Sequence, residues 1–338
     1  MKAAIFRSGN IVVDTMPEPV PAMGQALVKV LSCGICGSDL HAAKHSHRMA
    51  DVTRRTGRAP MDLTKDVVFG HEFCCEVIDY GPGTEKKLKP GTRVCAMPVM
   101  LEAEGPKGMG YSNKYVGGYA EQMLLAAPML LEVPNGLSTD HAALTEPLAV
   151  GVHAVEKGAL KGDEAPLVVG CGPVGLAVIA ALRLKNIRPI VAADFSPKRR
   201  DLAVKMGADI VVDPAKEDPY AKLARDKRVA IFECVGVPGI LQQMFEKVPR
   251  DARIVVVGVC MEPDTIEPMF GIVKELSLQF VLGYTPQEFA SSLRLLAEGQ
   301  VDGASLITAK VGLDGVKQAF ADLGNPEQHT KILVEPWR

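Results

Sequence analysis

This chain of 338 residues has little of several features that mark whole classes of protein. Its eight cysteines fall far below the density of a small secreted domain held together by disulfides. Its formal net charge is −2, with no long run of one sign, so we expect neither nucleic acid nor an anionic membrane as a partner. Small molecules are the partners that this composition favours.

The chain also has few long apolar runs. Residues 165–182, APLVVGCGPVGLAVIAAL, carry no charge over 18 positions, which approaches the length of a membrane span. Glycines and prolines divide this stretch into a short strand, a tight turn and the start of a helix, as expected of a buried parallel strand that feeds a helix. Near the N-terminus, Arg7 and Asn10 interrupt any signal-peptide core, which predicts a cytoplasmic protein.

The distribution of strand-like and helix-like runs divides the chain into two parts, and a length of 338 residues suits about two domains. Residues 1–151 contain short strand-like runs separated by proline and glycine, which predict a mostly β domain. Residues 152–290 alternate apolar strands with helical stretches, which predicts an α/β fold with a doubly wound parallel sheet. In the tail, Thr285 is a predicted N-cap and Gly299 a predicted stop for one helix, and KILVEP is a predicted last strand.

A glycine-rich motif stands at the start of the α/β part. The run VVGCGPVGL has glycines spaced as G-x-G-x-x-G at Gly170, Gly172 and Gly175. It follows a predicted strand and opens a predicted helix at Pro173 and Val174, which is the setting of a dinucleotide-binding turn. There the first glycine allows a tight turn, the second lets the backbone approach a pyrophosphate, and the third lets helix and strand pack closely.

The residues that follow this turn bear on the choice of cofactor. Asp194 ends the next predicted strand, 19 positions after Gly175, where an acid accepts hydrogen bonds from the adenosine ribose and repels a 2′-phosphate. This favours NAD over NADP. Lys198, Arg199 and Arg200 could hold a phosphate, but charges in the first turns of a surface helix are more often solvated, so NAD stays favoured.

The stretch SCGICGSDLH, residues 32–41, contains one C-x-x-C pair, Cys33 and Cys36. A thioredoxin-like redox motif would sit in a different fold from the one predicted here. A zinc ribbon would need a second such pair, and the chain has none. Two other stretches offer metal ligands instead: VFGHEFCCEV, with His71 and Glu72, and TEPLAVGVHA, with Glu146.

One cysteine, one histidine and one or two carboxylates suit a catalytic zinc site, in which a fourth position stays open for water or substrate. On this interpretation Cys36 is a metal ligand and Cys33 is a small buried residue on a strand.

These stretches in this order, together with GICGSDLH, EPLAVGVHA, GCGPVG and LGYTPQEF, resemble the zinc-dependent medium-chain dehydrogenase/reductase family over essentially the whole chain. Within it the closest likeness is to the sorbitol, threonine and butanediol dehydrogenase branch. The resemblance implies a GroES-like catalytic domain formed by residues 1–151 and 291–338, and a Rossmann domain at 152–290.

The same resemblance implies roles for single residues. Cys36 and His71 are expected zinc ligands, Glu146 is the expected third ligand, and Glu72 is either a ligand or a nearby carboxylate that exchanges with Glu146. Asp39 is expected to hydrogen-bond the ring of His71 and so fix its tautomer.

The expected chemistry follows from the family. Zinc acts as a Lewis acid on the oxygen of a secondary alcohol, and hydride passes to NAD to give the ketone. Ser38 and His41 are expected to carry the hydroxyl proton to solvent. By the same likeness Tyr119 and Tyr284 are candidates to line the substrate pocket, with a role in packing alone as the alternative that periodicity does not distinguish. The resemblance also implies a homotetramer or homodimer.

The sequence departs from the family in two places. Many members bind a second, structural zinc through four cysteines, but residues 95–122 contain only Cys95, so one catalytic ion and no structural zinc is expected. The interval between Cys36 and His71 is also long, and its extra residues at 44–62 read as a basic loop. That loop is either a solvated insertion or a lid or anion clamp over the substrate.

Two alternatives remain open at this level. One is a zinc-free quinone or enoyl reductase of the same superfamily, and the other is a catalytically silent nucleotide-binding protein. The presence of Cys36, His71 and Glu146 argues against the first, and the retention of every expected ligand and relay residue argues against the second.

Overall fold

The computed structural model describes residues 1–338. The first part of the chain consists of nine strands and three helices, which in chain order are β1 (Lys2–Arg7), β2 (Asn10–Thr15), β3 (Gln25–Gly34), α1 (Gly37–Lys44), α2 (Ser46–Arg55), β4 (Glu72–Tyr80), β5 (Arg93–Cys95), β6 (Val99–Glu102), β7 (Gly105–Gly108), β8 (Gln122–Ala126), β9 (Leu131–Glu132) and α3 (Thr139–Ala143).

The second part alternates helices and strands as the sequence predicts. Its elements are α4 (Thr145–Gly158), β10 (Ala165–Val169), α5 (Pro173–Leu184), β11 (Val191–Ala193), α6 (Pro197–Met206), β12 (Ile210–Val212), β13 (Val229–Glu233), α7 (Ile240–Lys247), β14 (Arg253–Val256), α8 (Pro268–Lys274) and β15 (Ser277–Phe280). The chain closes with α9 (Pro286–Ala297), β16 (Ile307–Val311), α10 (Val316–Asp322) and β17 (Lys331–Val334).

The six strands β10–β15 form one parallel sheet in the order β12-β11-β10-β13-β14-β15. The order reverses beside β10, so a crevice opens at the carboxyl ends of β10 and β13, which is where such sheets bind their ligands. The predicted α/β fold with a doubly wound sheet is confirmed.

The other large sheet has seven strands and carries the predicted mostly β domain. Its path is β16-β17-β3-β4-β5-β9, with β8 also paired to β3. The last strand of the chain, β17, runs antiparallel to β3 and pairs Leu333 with Gly34. The tail therefore returns to the first domain, as the family resemblance implied.

The helices α4 and α9 each run across a predicted domain boundary. The predicted boundaries at 151/152 and 290/291 fall inside α4 and α9, which pack against each other. One apolar core contains residues of the catalytic sheet, such as Cys74 and Cys95, together with residues of α5 and α9, such as Leu176 and Phe289. The sequence shows where the pattern of strands and helices changes. It does not show a domain boundary that falls inside a helix packed against both domains.

The segment predicted as a basic loop at 44–62 is largely helical. It contains α2, Ser46–Arg55, and so the loop prediction was wrong there. Asp51 contributes to the helix, since it forms exposed ion pairs one helical turn away with Arg48, Arg54 and Arg55, each worth a few tenths of a kcal/mol. The arginines 54 and 55 remain exposed, and all three share the same carboxylate.

No helix of the protein has both the length and the apolarity that crossing a membrane would require.

Candidate active site

Two strand ends of the seven-stranded sheet meet at one point. Gly34, at the end of β3, is paired with Glu72, the first residue of β4, so the chain after β3 emerges beside His71. Cys36 then stands at the N-cap of α1. The pairing of these strands therefore brings together two sequence motifs that lie 35 positions apart.

The side chains of Cys36, His71 and Glu72 offer ligand atoms that all lie within 4.8 Å of one another. Glu72 is fully buried and His71 nearly so. A Cβ at Gly34 would stand 2.0 Å from Oε2 of Glu72, so only glycine leaves room for this carboxylate. Cys33 lies on β3 and is buried away from the group.

Glu72 has a partner that the sequence did not reveal. Nζ of Lys331, at the start of β17, lies 2.8 Å from Oε1 and 2.6 Å from Oε2 of Glu72, and it also donates to the carbonyl of Ile35. Burial opposes the charged amine, but the attraction of Glu72 dominates and raises the pKa of Lys331. A lysine at the start of a predicted strand gives no sequence signal of such a role.

Asp39 lies beside His71, but the expected hydrogen bond between them is not formed in this structure. Its Oδ1 stands 3.4 Å from Nδ1 of His71, an ion-pair distance without the geometry of a hydrogen bond, and Nδ1 has no hydrogen-bond partner. Tyr111 donates to Oδ1 at 2.8 Å and Tyr119 donates to Oδ2 at 2.7 Å. Burial alone would raise the pKa of Asp39, but the attraction of His71 and the two tyrosine hydrogen bonds outweigh it and lower this pKa.

The structure does not bring Glu146 into the group of three. Glu146 lies in the first turn of α4, buried, and interacts with the hydroxyl of Tyr284 from the segment before α9. Burial raises the pKa of Glu146 to about 7, with repulsion from Glu72 adding to it and attraction to His71 opposing it. A cation held beside Glu146 would lower this pKa again.

The two expected relay residues occupy different surroundings. Ser38, in the first turn of α1, has its Oγ 2.8 Å from the hydroxyl of Tyr111. His41 is half-buried and its Nδ1 has no hydrogen-bond partner. Burial, followed by the nearby charges of His45 and Lys44, lowers the pKa of His41. No hydrogen bond joins Ser38 to His41 in this structure.

The glycine-rich turn has the shape that its motif predicts. Gly170 has φ +91°, and a Cβ there would meet Val235 at 2.7 Å. A Cβ at Gly175 would stand 1.9 Å from the carbonyl oxygen of Gly170, so this glycine allows α5 to pack on β10. A Cβ at Gly172 would have Nη1 of Arg199 as its nearest neighbour, at 3.9 Å, which leaves space at the N-terminus of α5, where Pro173 and Val174 begin the helix.

Beside this turn lies a cavity of about 660 Å³ at the carboxyl edge of the parallel sheet. Gly170, Gly172, Asp194 and Arg199 line it. Asp194 accepts hydrogen bonds from the backbone N–H of Cys171 at 2.7 Å and from Ser196 at 2.8 Å, so it ties the turn to the next strand end.

The three basic residues after Asp194 have different partners in the structure. Nε of Arg199 is buried without a partner. Arg200 bonds the carbonyls of Asp194 and Phe195 and faces Asp213, whereas Lys198 bonds the carbonyl of Glu327. Of the three, only Arg199 lines the cavity.

Comparisons with known proteins agree with this arrangement. Residues 22–135 match the model of the alcohol dehydrogenase GroES-like domain, and residues 173–298 match that of the zinc-binding dehydrogenases. The (R,R)-butanediol dehydrogenase of Bacillus subtilis strain 168 is 33% identical over 354 residues, covering 99% of this chain and 100% of that protein. Sorbitol dehydrogenase of the same strain is 27% identical, covering 100% and 98%.

Solved structures give the same result. The crystal structure of 2R,3R-butanediol dehydrogenase from Bacillus subtilis superposes with a TM-score of 0.82 and 31% identity, and covers 99% of each chain. A putative zinc-binding dehydrogenase from Sinorhizobium meliloti 1021, solved with NADP, has a TM-score of 0.84 and 26% identity over 99% of each chain.

Fold, site and comparisons together define an oxidoreductase built from a GroES-like domain and a dinucleotide-binding domain. The chain belongs to the zinc-type alcohol dehydrogenases of the medium-chain family, in the branch of the butanediol and sorbitol dehydrogenases. The prediction of an alcohol dehydrogenase that uses zinc and a nicotinamide dinucleotide is confirmed at this level.

The residues present fit both cofactors. A thiol, an imidazole and a carboxylate converge within one metal's reach, which is the donor set of a catalytic zinc with an open position. The open space over Gly172, at a helix N-terminus, is where a pyrophosphate binds.

Proposed function

We propose that this enzyme oxidises a secondary hydroxyl of a vicinal diol to the ketone, with NAD as hydride acceptor, at a zinc ion held by Cys36, His71 and Glu72. The observation that carries the proposal is the convergence of these three donors within 4.8 Å. When bound, zinc supplies a Lewis acid that stabilises negative charge on the substrate oxygen, and NAD supplies the hydride acceptor.

The choice of Glu72 over Glu146 as third ligand rests on the same geometry. Glu72 belongs to the convergent group, whereas Glu146 lies outside it, beside Tyr284. Lys331 fixes the Glu72 carboxylate from behind, so it can turn only a little. In this proposal Glu146 faces the substrate side and binds a water or a second substrate hydroxyl.

The chain's own residues orient the substrate and the ligands. Asp39 holds His71 through its charge, and Ser38 offers a hydroxyl two residues beyond Cys36. His41, half-buried on the next turn of α1, is the proposed exit for the proton towards solvent. With Ser38 as the proposed partner of the reacting hydroxyl and Glu146 of a second one, the site would suit a substrate with two neighbouring hydroxyls better than a plain alkyl alcohol.

The relatives support the same substrate class. Two proteins named (R,R)-butanediol dehydrogenase are 33% and 31% identical and each match 99% of this chain, whereas the sorbitol dehydrogenases are 26% to 27% identical. We therefore place a small vicinal diol ahead of a longer polyol.

For the cofactor, we propose that Asp194 accepts the adenosine ribose hydroxyls and that Arg199 flanks the pyrophosphate. Each carboxylate oxygen of Asp194 already accepts one backbone N–H and keeps a further lone pair for the ribose. Its negative charge opposes a 2′-phosphate, which supports NAD over NADP.

We propose a homodimer formed by edge-to-edge pairing of the parallel sheets. β15 ends the sheet and has no neighbour on its outer side. Large apolar side chains stand exposed on this edge and on α8 beside it, namely Phe280, Leu282, Met269, Ile272 and Val273. An unpaired strand with exposed apolar residues is the kind of edge that a second copy covers.

For the cellular compartment we propose the cytoplasm. The eight free cysteines support a reducing compartment of this kind.

The proposal is tested by initial rates of NAD reduction on the three stereoisomers of 2,3-butanediol, with sorbitol, threonine and 2-butanol as comparison substrates. Each rate is measured with and without a zinc chelator, and metal content is measured on wild type, Cys36→Ser and the exposed control Cys260→Ser. We expect chelator-sensitive turnover that is highest on one butanediol stereoisomer. Loss of zinc is expected in Cys36→Ser and not in Cys260→Ser.

Two results would count against the proposal. Preference for sorbitol or threonine would reject a small vicinal diol as the substrate and would not bear on the proposed zinc site. Turnover that is insensitive to the chelator, together with a wild-type protein that contains no zinc, would favour the zinc-free quinone or enoyl reductase instead.

A further inference from the structure

Tyr111 lies beside His71 and Asp39 in the proposed metal site, although no sequence motif predicted it. It belongs to the segment that follows the β6–β7 hairpin. Its ring packs beside that of His71, with centroids 5.5 Å apart, and Gly110 lies against the backbone of Gly70. Neighbouring contacts hold the segment in place: Asn113 bonds the backbone of Asp62 at both its N–H and its carbonyl.

The hydroxyl of Tyr111 joins two residues of the proposed mechanism. It lies 2.8 Å from Oδ1 of Asp39 and 2.8 Å from Oγ of Ser38. The other carboxylate oxygen of Asp39 accepts from Tyr119 and from the backbone N–H of Cys36. Asp39 is thus surrounded by donors and acts as an acceptor on both of its oxygens.

The direction of these hydrogen bonds follows from counting protons. A tyrosine hydroxyl has one proton, and a carboxylate can only accept, so the Tyr111 proton goes to Asp39. The bond between Tyr111 and Ser38 can then form only if Ser38 donates. The single proton of Ser38 is committed to Tyr111, and the Ser38 oxygen presents lone pairs, not a proton, to its other side.

We propose that Tyr111 is a positioning residue that makes Ser38 a hydrogen-bond acceptor towards the substrate. The inference rests on the proposed function, in which Ser38 contacts the substrate hydroxyl. An acceptor at this place binds an alcohol, whose hydroxyl donates, better than a ketone, whose oxygen can only accept. Tyr111 thereby favours the alcohol over the carbonyl product at the same position.

The test compares two probes that cannot react. Pinacol is a vicinal diol with no hydrogen on its carbinol carbons, so it has no hydride to lose, and isobutyramide offers an amide carbonyl that is not reduced. Dissociation constants are measured by calorimetry on the zinc-loaded holoenzyme, with NAD for pinacol and NADH for isobutyramide. The ratio of the two constants reports the donor or acceptor character of Ser38.

In Tyr111→Phe the Ser38 hydroxyl is free to rotate and donate. We expect pinacol binding to weaken by about three- to tenfold, isobutyramide binding to hold or strengthen, and zinc content to stay at the wild-type level. Tyr119→Phe is the matched control, because it removes the other tyrosine hydroxyl on Asp39 without touching Ser38. Its ratio is expected to remain that of the wild type.

Three outcomes would overturn the inference: an unchanged ratio in Tyr111→Phe, an equal shift in Tyr119→Phe, or loss of zinc in Tyr111→Phe. The second and third would show that the effect passes through Asp39 and His71. Should Tyr111→Phe not fold, Ser38→Ala decides, since unchanged pinacol binding in that variant would equally refute an acceptor role. Wild-type turnover reports on the proposed function and the probe ratio on Tyr111, so the two failures are distinguishable.

Discussion

Lys331 and Glu72 form a buried ion pair directly behind the proposed metal site. Their closest atoms are 2.6 Å apart and both side chains are at most 1% exposed. They come from strands 259 positions apart in the chain, joined because β17 and β4 both flank β3. The pair thus ties the last strand of the protein to a ligand of the metal.

We expect Lys331→Met to weaken the zinc site. Without the amine, the buried Glu72 side chain loses the group that balances its charge and orients it. Removal of an orienting partner typically lowers metal affinity by about 10–100-fold, and breaking one side of a buried pair costs about 3–5 kcal/mol in the zinc-free protein. Competition with a chelator of known affinity measures the first effect, and thermal unfolding the second.

Lys310→Met is the control for this experiment. Lys310 also forms ion pairs, with Asp140 and Glu335, but it is partly exposed and remote from the metal site. Zinc affinity is expected to stay unchanged there. Equal zinc affinity in both variants would mean that Lys331 does not orient Glu72.

A second experiment distinguishes the roles of Glu72 and Glu146. Glu72→Gln should lose most of its zinc, because an amide oxygen is a weaker ligand than a carboxylate. Glu146→Gln should retain zinc and lose turnover, since in our proposal this side chain acts on the substrate side. Metal analysis of both proteins after dialysis is decisive, and the opposite pattern would restore Glu146 as the third ligand.

The motifs of the site could be predicted from the sequence, because each is a short run of neighbouring residues. Cys36 and His71 were the expected ligands, with Glu146 as the third and Glu72 as a ligand or an exchanging neighbour. The structure brings Cys36, His71 and Glu72 together and leaves Glu146 outside this group. The contribution of Lys331 could not be foreseen, since it depends on which strand pairs with which, and this is fixed by long-range packing. Tyr111 was missed for the same reason.

Elements with strong local signals were predicted well. The helix from Thr285 to Gly299 has its capping box at Thr285 and Glu288, and the strand–turn–helix at Gly170 follows its glycines. The helix α2 was not foreseen, because its sequence is polar on most sides and its arginines suggested a loop. There Asp51 adds ion pairs to neighbouring arginines that local sequence patterns had not indicated.

The acid stability of the protein is expected to depend on Glu288. Burial would raise the pKa of Glu288, but hydrogen bonds from the Thr285 backbone and from His153 outweigh it and lower the pKa. A lowered pKa stabilises the folded state above the pKa of the unfolded chain, near 4.3, and this contribution disappears as pH falls through the folded value.

We therefore expect Glu288→Gln to cost about 1 kcal/mol at pH 7, with the capping role kept by the amide. The difference from wild type should shrink as pH drops below about 4.3, as the wild-type carboxylate is protonated. Thermal unfolding midpoints from pH 7 down to about pH 2.5 measure it, a range that passes below the lowered pKa of Glu288. Exposed Glu298→Gln on the same part of the chain is the control. A difference that does not vary with pH would contradict this account.

Cofactor preference is expected to change in Asp194→Asn. The amide keeps one acceptor for the backbone but loses the negative charge that opposes a 2′-phosphate. We expect KM for NAD to rise by about tenfold, in line with the loss of a charged hydrogen bond, and the rate with NADP to rise relative to NAD. Steady-state kinetics with both cofactors measure this, and Asp213→Asn, at the end of the neighbouring strand, is the control. An unchanged NAD to NADP ratio would exclude Asp194 from ribose recognition.

The sheet edge at β15 is expected to hold the dimer together. Leu282 is 80% exposed, just beyond the end of β15, and a charge there would be desolvated if a second copy covers this edge. Leu282→Asp should therefore weaken association by at least about tenfold and give monomers at micromolar concentration in sedimentation velocity. Val20→Asp is the matched control, since Val20 is 84% exposed on a loop of the other domain and should leave the dimer intact. A wild type that sediments as a monomer, or a Leu282→Asp protein that stays dimeric, would place the interface elsewhere or remove it.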